Sequence, residues 1–239
     1  MLWIEKEQNP VFKVPDDVQD LSFRIQCKEL PIDHGFALAQ AIKAILPWMA
    51  DEPHAAIHAI HGAASGNGWN RPDDPANQRL QLSRRTRLYI RLPKHRLEDA
   101  KDLCDQRLKI EDCEIQIDRC QPKPLVVSST LFARSVCDPH VEDETAFTEQ
   151  IVTQLKARNI YITRILYGLL HQLSADPSEQ GHDSQRRLNA RSVLLTDLEP
   201  RDCIALQQMG LGQHRLMGCG IFLPHKSLAA VGQSQEEHL

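Results

Sequence analysis

The chain has 239 residues, 41% hydrophobic and 25% charged, with 28 Lys and Arg against 32 Asp and Glu for a net charge of −4. That is enough chain and enough apolar side chain for one large globular domain or two of ordinary size. No apolar run approaches the roughly 18 residues of a membrane span, and residues 1–7 lack the basic-then-apolar order of a secretory signal. A membrane location is therefore not expected, and the cytoplasm is.

Seven cysteines stand at 27, 104, 113, 120, 137, 203 and 219 with no C-x-x-C spacing. An odd, scattered set points to reduced thiols and away from disulfides or a cysteine zinc site. No metal and no cofactor is expected. The acidic balance does not advertise a polyanion binder, but the charge is uneven. No acid lies between Asp74 and Glu98, where Arg79, Arg84, Arg85, Arg87, Arg91, Lys94 and Arg96 fall, and acids are absent again from Cys203 to Gln235. A local patch of this kind is what meets phosphate. Its plain alternative is a solvated face.

In chain order, Leu21, Phe23, Ile25 and Cys27 alternate with polar residues and predict a half-buried strand. Asp33 offers a helix N-cap, and Leu38, Ala41, Ile42, Ile45 and Leu46 recur at helical spacing until Pro47. Residues 55–62 read equally as helix or short buried strand, and 62–78 as a long loop. A strand follows over 87–92. Leu97, Ala100, Leu103, Cys104 and Leu108 predict an amphipathic helix, and Cys113, Ile115 and Ile117 another strand. Pro122 and Pro124 then break the chain into halves, 1–121 and 125–239.

The second half repeats this order more loosely. Residues 125–136 predict a strand, and Phe147, Ile151, Val152 and Leu155 a helix opening after Asp143. Residues 159–173 remain undecided between strand and helix. Residues 174–187 are polar, 190–195 predict a strand, and Pro200 suits the first turn of a helix reaching Met209. The last strand is expected over 219–223.

Between that helix and strand lie Gly210, Gly212, Gly218 and Gly220 in a G-x-G-x5-G-x-G spacing around His214 and Arg215. Glycine accepts positive φ and close backbone approach, and successive N–H groups in such a loop can cradle an anion. Arg215 would then grip a phosphate in bidentate fashion, with His214 beside it. A lone Gly-x-Gly is more often a turn; two pairs around a basic centre point further.

This spacing resembles the glycine-rich loop of the CRISPR-associated endoribonucleases that cut precursor CRISPR RNA, members of the repeat-associated mysterious protein superfamily. Residues 30–38, with Asp33-His34-Gly35, and 57–69, with His58, His61 and Gly66-Asn67-Gly68-Trp69, resemble the MYXAN subtype. The resemblance implies a strand at 55–62, hence β-α-β-β-α-β in each half. The expected fold class is α+β, with tandem ferredoxin-like (RRM-like) domains.

The resemblance also implies the reaction: metal-independent cleavage of a stem-loop repeat to 2′,3′-cyclic phosphate and 5′-hydroxyl ends. The expected partner is CRISPR repeat RNA, with other subunits of a CRISPR effector complex as a further one. His34 is the first candidate for the catalytic imidazole and His61 the reserve, histidine being the side chain that titrates near neutrality. The second proton-transfer group is open between Ser65 and Lys43. Arg84, Arg85, Arg87, Arg187 and Arg191, with Arg186, are candidates to track the RNA backbone. Two rivals stand beside this reading. One is a non-catalytic RNA-binding subunit. The other is a metal hydrolase, in which a helical 54–61 would line up His54, His58 and His61.

Overall fold

The structure, a computed structural model, describes residues 12–61, 78–175 and 187–225. The first half contributes β1 (Val18–Gln26), β2 (Glu29–Pro31), α1 (Gly35–Ile45), β3 (Ala56–Ile57), β4 (Arg79–Gln81), β5 (Arg87–Pro93), β6 (Arg107–Ile110) and β7 (Cys113–Pro124). The second contributes β8 (Leu131–Cys137), α2 (Glu144–Lys156), β9 (Arg164–Ser174), β10 (Arg187–Thr196), α3 (Pro200–Met209) and β11 (Leu223–Pro224).

β1 is the centre of a sheet ordered β3-β5-β1-β7-β6, and β8 lies inside a second ordered β11-β8-β10-β9. Every pairing is antiparallel. Each sheet therefore shows the strand sequence of a ferredoxin-like unit, with two crossovers over one face. A small ribbon of β2 with β4 stands apart. Among the described residues no helix is long and apolar enough to cross a membrane.

Two apolar clusters follow from the alternation. Leu21, Phe23 and Ile25 of β1 pack with Leu88 and Ile90 of β5 and with Leu38 and Ile42 of α1. Ala133 and Val136 of β8 pack with Val193 and Leu195 of β10, beneath Phe147 and Ile151 of α2 and Leu206 of α3. α1 stops before Pro47 as the sequence predicts, but its N-cap is His34 without a side-chain bond. Asp33 instead accepts the main-chain N–H and the hydroxyl of Ser174, each at 2.6 Å, tying the first half to the end of β9.

One expectation changes and two open readings are decided. The helix expected near 97–108 is a pair of short 3-10 turns, Lys94–Arg96 and Asp99–Leu103, followed by β6. The spacing Leu97, Ala100, Leu103 is three residues, the period of a 3-10 turn, and Asp105 at φ 63° ends the run. Residues 56–57 form a strand too short to present three histidines on one face. The undecided 159–173 resolves mostly into β9, an edge strand of 11 residues.

The second sheet is kinked along one line. Ala133 pairs with Val193 and Val136 with Arg191, so Arg134 and Ser135 both stand opposite Ser192. On the other side Tyr167 pairs with Val193 and Leu170 with Arg191, which sets Gly168 and Leu169 opposite the same residue. Extra residues on both flanks of one strand are bulges, which re-aim side chains and bend a sheet. Gly168 fits this line because a Cβ there would lie 2.1 Å from the Ser192 hydroxyl.

Candidate active site

The four glycines of the 210–220 segment all take positive φ, between 65° and 87°. The backbone they admit is the protein's own. A Cβ on Gly210 would lie 2.2 Å from the Gly220 carbonyl oxygen, and one on Gly220 2.0 Å from that of Leu211. A Cβ on Gly212 would meet the Cys137 carbonyl oxygen at 2.4 Å, and one on Gly218 would press on Ala59 at 3.0 Å. Main-chain bonds from Gln213 N–H to Cys137 C=O (2.9 Å) and from Gly220 N–H to Ser135 C=O (2.7 Å) dock the segment on β8. The close approach is thus within the segment at Gly210 and Gly220, onto β8 at Gly212, and onto the first half of the chain at Gly218.

Arg215 has protein partners of its own. Its guanidinium donates to the Gln208 carbonyl at 2.9 Å and to that of Pro53 at 3.4 Å. Burial, with repulsion from Arg91 and Arg158, pushes its pKa down to about 10. The side chain is half-buried, and its Nε has no hydrogen-bond partner among the described residues. His214, left-handed at φ 62°, is exposed at the mouth of a cavity of about 360 Å3 that Phe36, Lys43 and Glu52 also line.

The basic run after β4 finds its acids elsewhere in the chain. Arg79 forks onto Asp112, Lys94 meets Asp16, and Arg96 meets Asp99 and Glu52. Arg87 turns back onto the carbonyls of Arg84 and Thr86. Arg84 and Arg85 keep exposed side chains in the turn before β5. Arg187 donates to Gln172, whereas Arg191 lies against the carbonyls of Val141, Glu142 and Gly168. Arg191 thus braces the turn that leads into α2. Arg186 and Ser65 lie outside the described residues.

His34 has partners at both ring nitrogens. It is 2% exposed, with Nδ1 2.8 Å from the Pro31 carbonyl and Nε2 3.0 Å from the Ile60 N–H. A carbonyl can only accept and an N–H can only donate, so the proton sits on Nδ1 and the Nε2 lone pair is taken. The imidazole ties β2 to the segment that carries His61.

His58 is buried too, with Nε2 3.2 Å from Asp20. Asp20 receives both Nε (2.8 Å) and Nη2 (3.0 Å) of Arg91, which is wholly buried. Nη1 of Arg91 donates onward to the carbonyls of Gln207 at 2.6 Å and Phe222 at 3.2 Å. Burial works to raise the Asp20 pKa, but His58 and Arg91 hold its carboxyl well below the usual range. Burial lowers that of His58 against the pull of Asp20. This is a structural bolt between the sheets. With His58 committed there and 54–61 not helical, the three-histidine metal arrangement loses its geometry. Among the described residues no group of three His, Cys, Asp or Glu is placed to hold a metal.

His61 differs. The His58 N–H bonds the Tyr89 carbonyl (2.9 Å), continuing the β3–β5 pairing and carrying 59–61 toward the Arg87 end of β5. There His61 is only half-buried. Burial, and next the Arg134 guanidinium, push its pKa down to about 3, with His34 and His58 adding to the effect. A neutral imidazole thus shares a site with a cation from the other half of the chain.

Arg134 and its neighbours escaped sequence reading. Ala133 and Val136 both face the helices, so the bulge between them turns Arg134 and Ser135 together onto the opposite face. On that face Ser135 Oγ lies 2.9 Å from Nε2 of His171 on β9. The main chain of 59 and of 218–220 lies along the same edge. His61, Arg134, Ser135 and His171 thus collect where the halves meet, and a uniform apolar run over 125–136 carries no mark of it.

The family described as Cas6 Crispr matches residues 19–227. A CRISPR-associated endonuclease Cas6 of Myxococcus xanthus (strain DK1622) is 24% identical over 212 residues, 89% of this chain and 84% of that protein. Among solved structures, a CRISPR-associated protein Cas6 superposes with a TM-score of 0.58 at 11% identity, over 87% of this chain and all of the other. A Cas6-related protein of Pyrococcus furiosus gives 0.55 at 13% identity, over 88% of this chain and 99% of its own. The likeness to these two structures is one of fold.

Proposed function

The chain belongs to the Cas6 family, and on that footing we propose that it is an endoribonuclease that binds CRISPR repeat RNA and cuts precursor CRISPR RNA into guide units. The observation that carries this reading is the meeting of the halves at one edge, where Gly218 lies against Ala59, two residues before His61, and the Gly220 N–H bonds the carbonyl of Ser135, next to Arg134. β7 runs unbroken through Pro122 to Pro124, so the halves part after Pro124, the first supplying a proton-transfer group and the second a phosphate-binding cation.

RNA supplies its own nucleophile. A base takes the proton of the 2′-hydroxyl, the 2′-oxygen attacks the adjacent phosphorus, and the 5′-oxygen leaves. The products are a 2′,3′-cyclic phosphate and a 5′-hydroxyl, with no metal required. His61 is neutral in the free protein, its pKa lowered to about 3 by burial and the Arg134 charge, and a bound phosphate would offset that charge and raise its basicity toward what such a step needs. Arg134 is placed to balance the charge gathering on the phosphorane. His34 acts through the backbone that it holds, as a positioning residue. Arg84 and Arg85 meet the RNA backbone at the same end of the first sheet.

The test is cleavage of a labelled repeat RNA in EDTA by the native protein and by His61→Ala. Cutting by the first to cyclic phosphate ends, and its loss in the second with RNA affinity kept, supports the reading. RNA retention without cutting by the native protein would identify a non-catalytic binding subunit instead.

A further inference from the structure

Cleavage needs a second proton transfer, to the departing 5′-oxygen, and His61 cannot serve both ends of one displacement. We infer that the Ser135–His171 pair supplies it. This inference rests on the endoribonuclease reading above.

The argument is geometric. The bulge opposite Ser192 puts Arg134 and Ser135 on one face, where strict alternation would part them. The cation that faces His61 therefore has a hydroxyl as its immediate neighbour on the same surface. That hydroxyl is not idle: it is 2.9 Å from His171 Nε2, close enough for a proton to pass. The hydrogen bond reaches from β8 to β9 across β10, and the small side chain of Ala190, paired with both Cys137 and His171, leaves the way open. His171 Nδ1 also lies 3.4 Å from the Leu169 carbonyl, in the second bulge of the same line. An imidazolium there has an acceptor on each side.

The step balances as follows. The 2′-oxygen forms its bond to phosphorus as its proton passes to His61. The bond from phosphorus to the 5′-oxygen breaks, and its electron pair stays on oxygen. That oxygen takes the Ser135 hydroxyl proton, and His171 Nε2 returns a proton to Ser135. The enzyme ends with His61 protonated and His171 neutral, and exchange with water resets both.

A repeat RNA whose scissile 5′-oxygen is replaced by sulfur tests this, because a thiolate leaves without an acid. His171→Ala, His171→Gln and Ser135→Ala are compared with His61→Ala on both RNAs, with thermal unfolding and RNA affinity measured for each. On ordinary RNA the His171 and Ser135 variants should slow by roughly 10²-fold or more, the usual contribution of one acid or base. On the sulfur substrate they should approach the native rate, while His61→Ala stays slow on both. Equal slowing on the two substrates in a folded, RNA-binding variant would overturn the acid role, as would native rates for the His171 variants on ordinary RNA. Failure of the native protein to cut either RNA would instead overturn the endoribonuclease reading, and this inference with it.

Discussion

The His34 imidazole and the Ile60 main chain are joined by a hydrogen bond of 3.0 Å, in which the N–H one residue before His61 donates to Nε2. His34 therefore helps to set the position of His61. His34→Ala leaves a buried carbonyl at Pro31 and a buried N–H at Ile60 unpaired, at a cost of about 1–3 kcal/mol each. His34→Gln keeps a donor and an acceptor but cannot titrate. Single-turnover cleavage should survive His34→Gln to a measurable fraction, and urea midpoints should fall less than for His34→Ala. Complete loss of cutting in a normally stable His34→Gln protein would return His34 to the role of base.

Arg91 is the bolt between the sheets. It is wholly buried, balanced by Asp20, and it satisfies two carbonyls from the second half. Removing one partner of a buried pair strands the other, typically at about 3–5 kcal/mol. Arg91→Ala should lower the urea unfolding free energy by about that amount. Asp20→Asn, which keeps an acceptor, should cost less. A loss under about 1 kcal/mol for Arg91→Ala would mean that the pair is as weak as a surface ion pair.

The same contacts show what a sequence can and cannot disclose here. Leu21, Phe23 and Ile25 announced β1 because a single period of two governs the whole strand. Pro47 announced the end of α1 and Pro200 the start of α3, since each acts on its own turn. Gly210 and its partners announced positive φ, but not whose carbonyl would fill the space. The partners of Arg79 and Arg91 lie 33 and 71 residues away, so the acid-free run looked like a patch. Arg134 and Ser135 share a face only through pairing with Ser192, a property of the sheet and not of β8. The periodic part of the fold was legible, as was His61; Arg134, Ser135 and His171, brought together by register, were not.

His61 and His58 also govern how stability changes with pH. Both pKa values lie below the ordinary histidine value, that of His61 at about 3. The unfolded chain therefore binds these protons first, as pH falls through about 6.5. Stability contributed by the neutral imidazoles is full above that pH and is lost progressively toward the folded values, by at most about 1.4 kcal/mol per pH unit for each. Urea midpoints taken from neutral pH downward should drop steadily, and His61→Ala should flatten part of the slope. A flat profile across that window in the native protein would show that neither histidine is held neutral.

Arg84, Arg85 and Arg215 separate binding from folding. The first two are exposed in the turn before β5, while Arg215 donates to Gln208 and Pro53 inside the protein. Each phosphate deprived of its cation lowers the slope of log affinity against log salt by about 0.7 for single-stranded RNA and 0.9 for a duplex. Arg84→Ala with Arg85→Ala should therefore reduce that slope by about 1.4–1.8 and leave the urea midpoint unchanged. Arg215→Ala should do the reverse, since it strands internal carbonyls and touches no phosphate. Filter binding of repeat RNA over a salt series, beside urea titrations, decides the matter. An unchanged salt slope in the double variant would remove this turn from the RNA path, and a shallower slope for Arg215→Ala would restore that side chain to it.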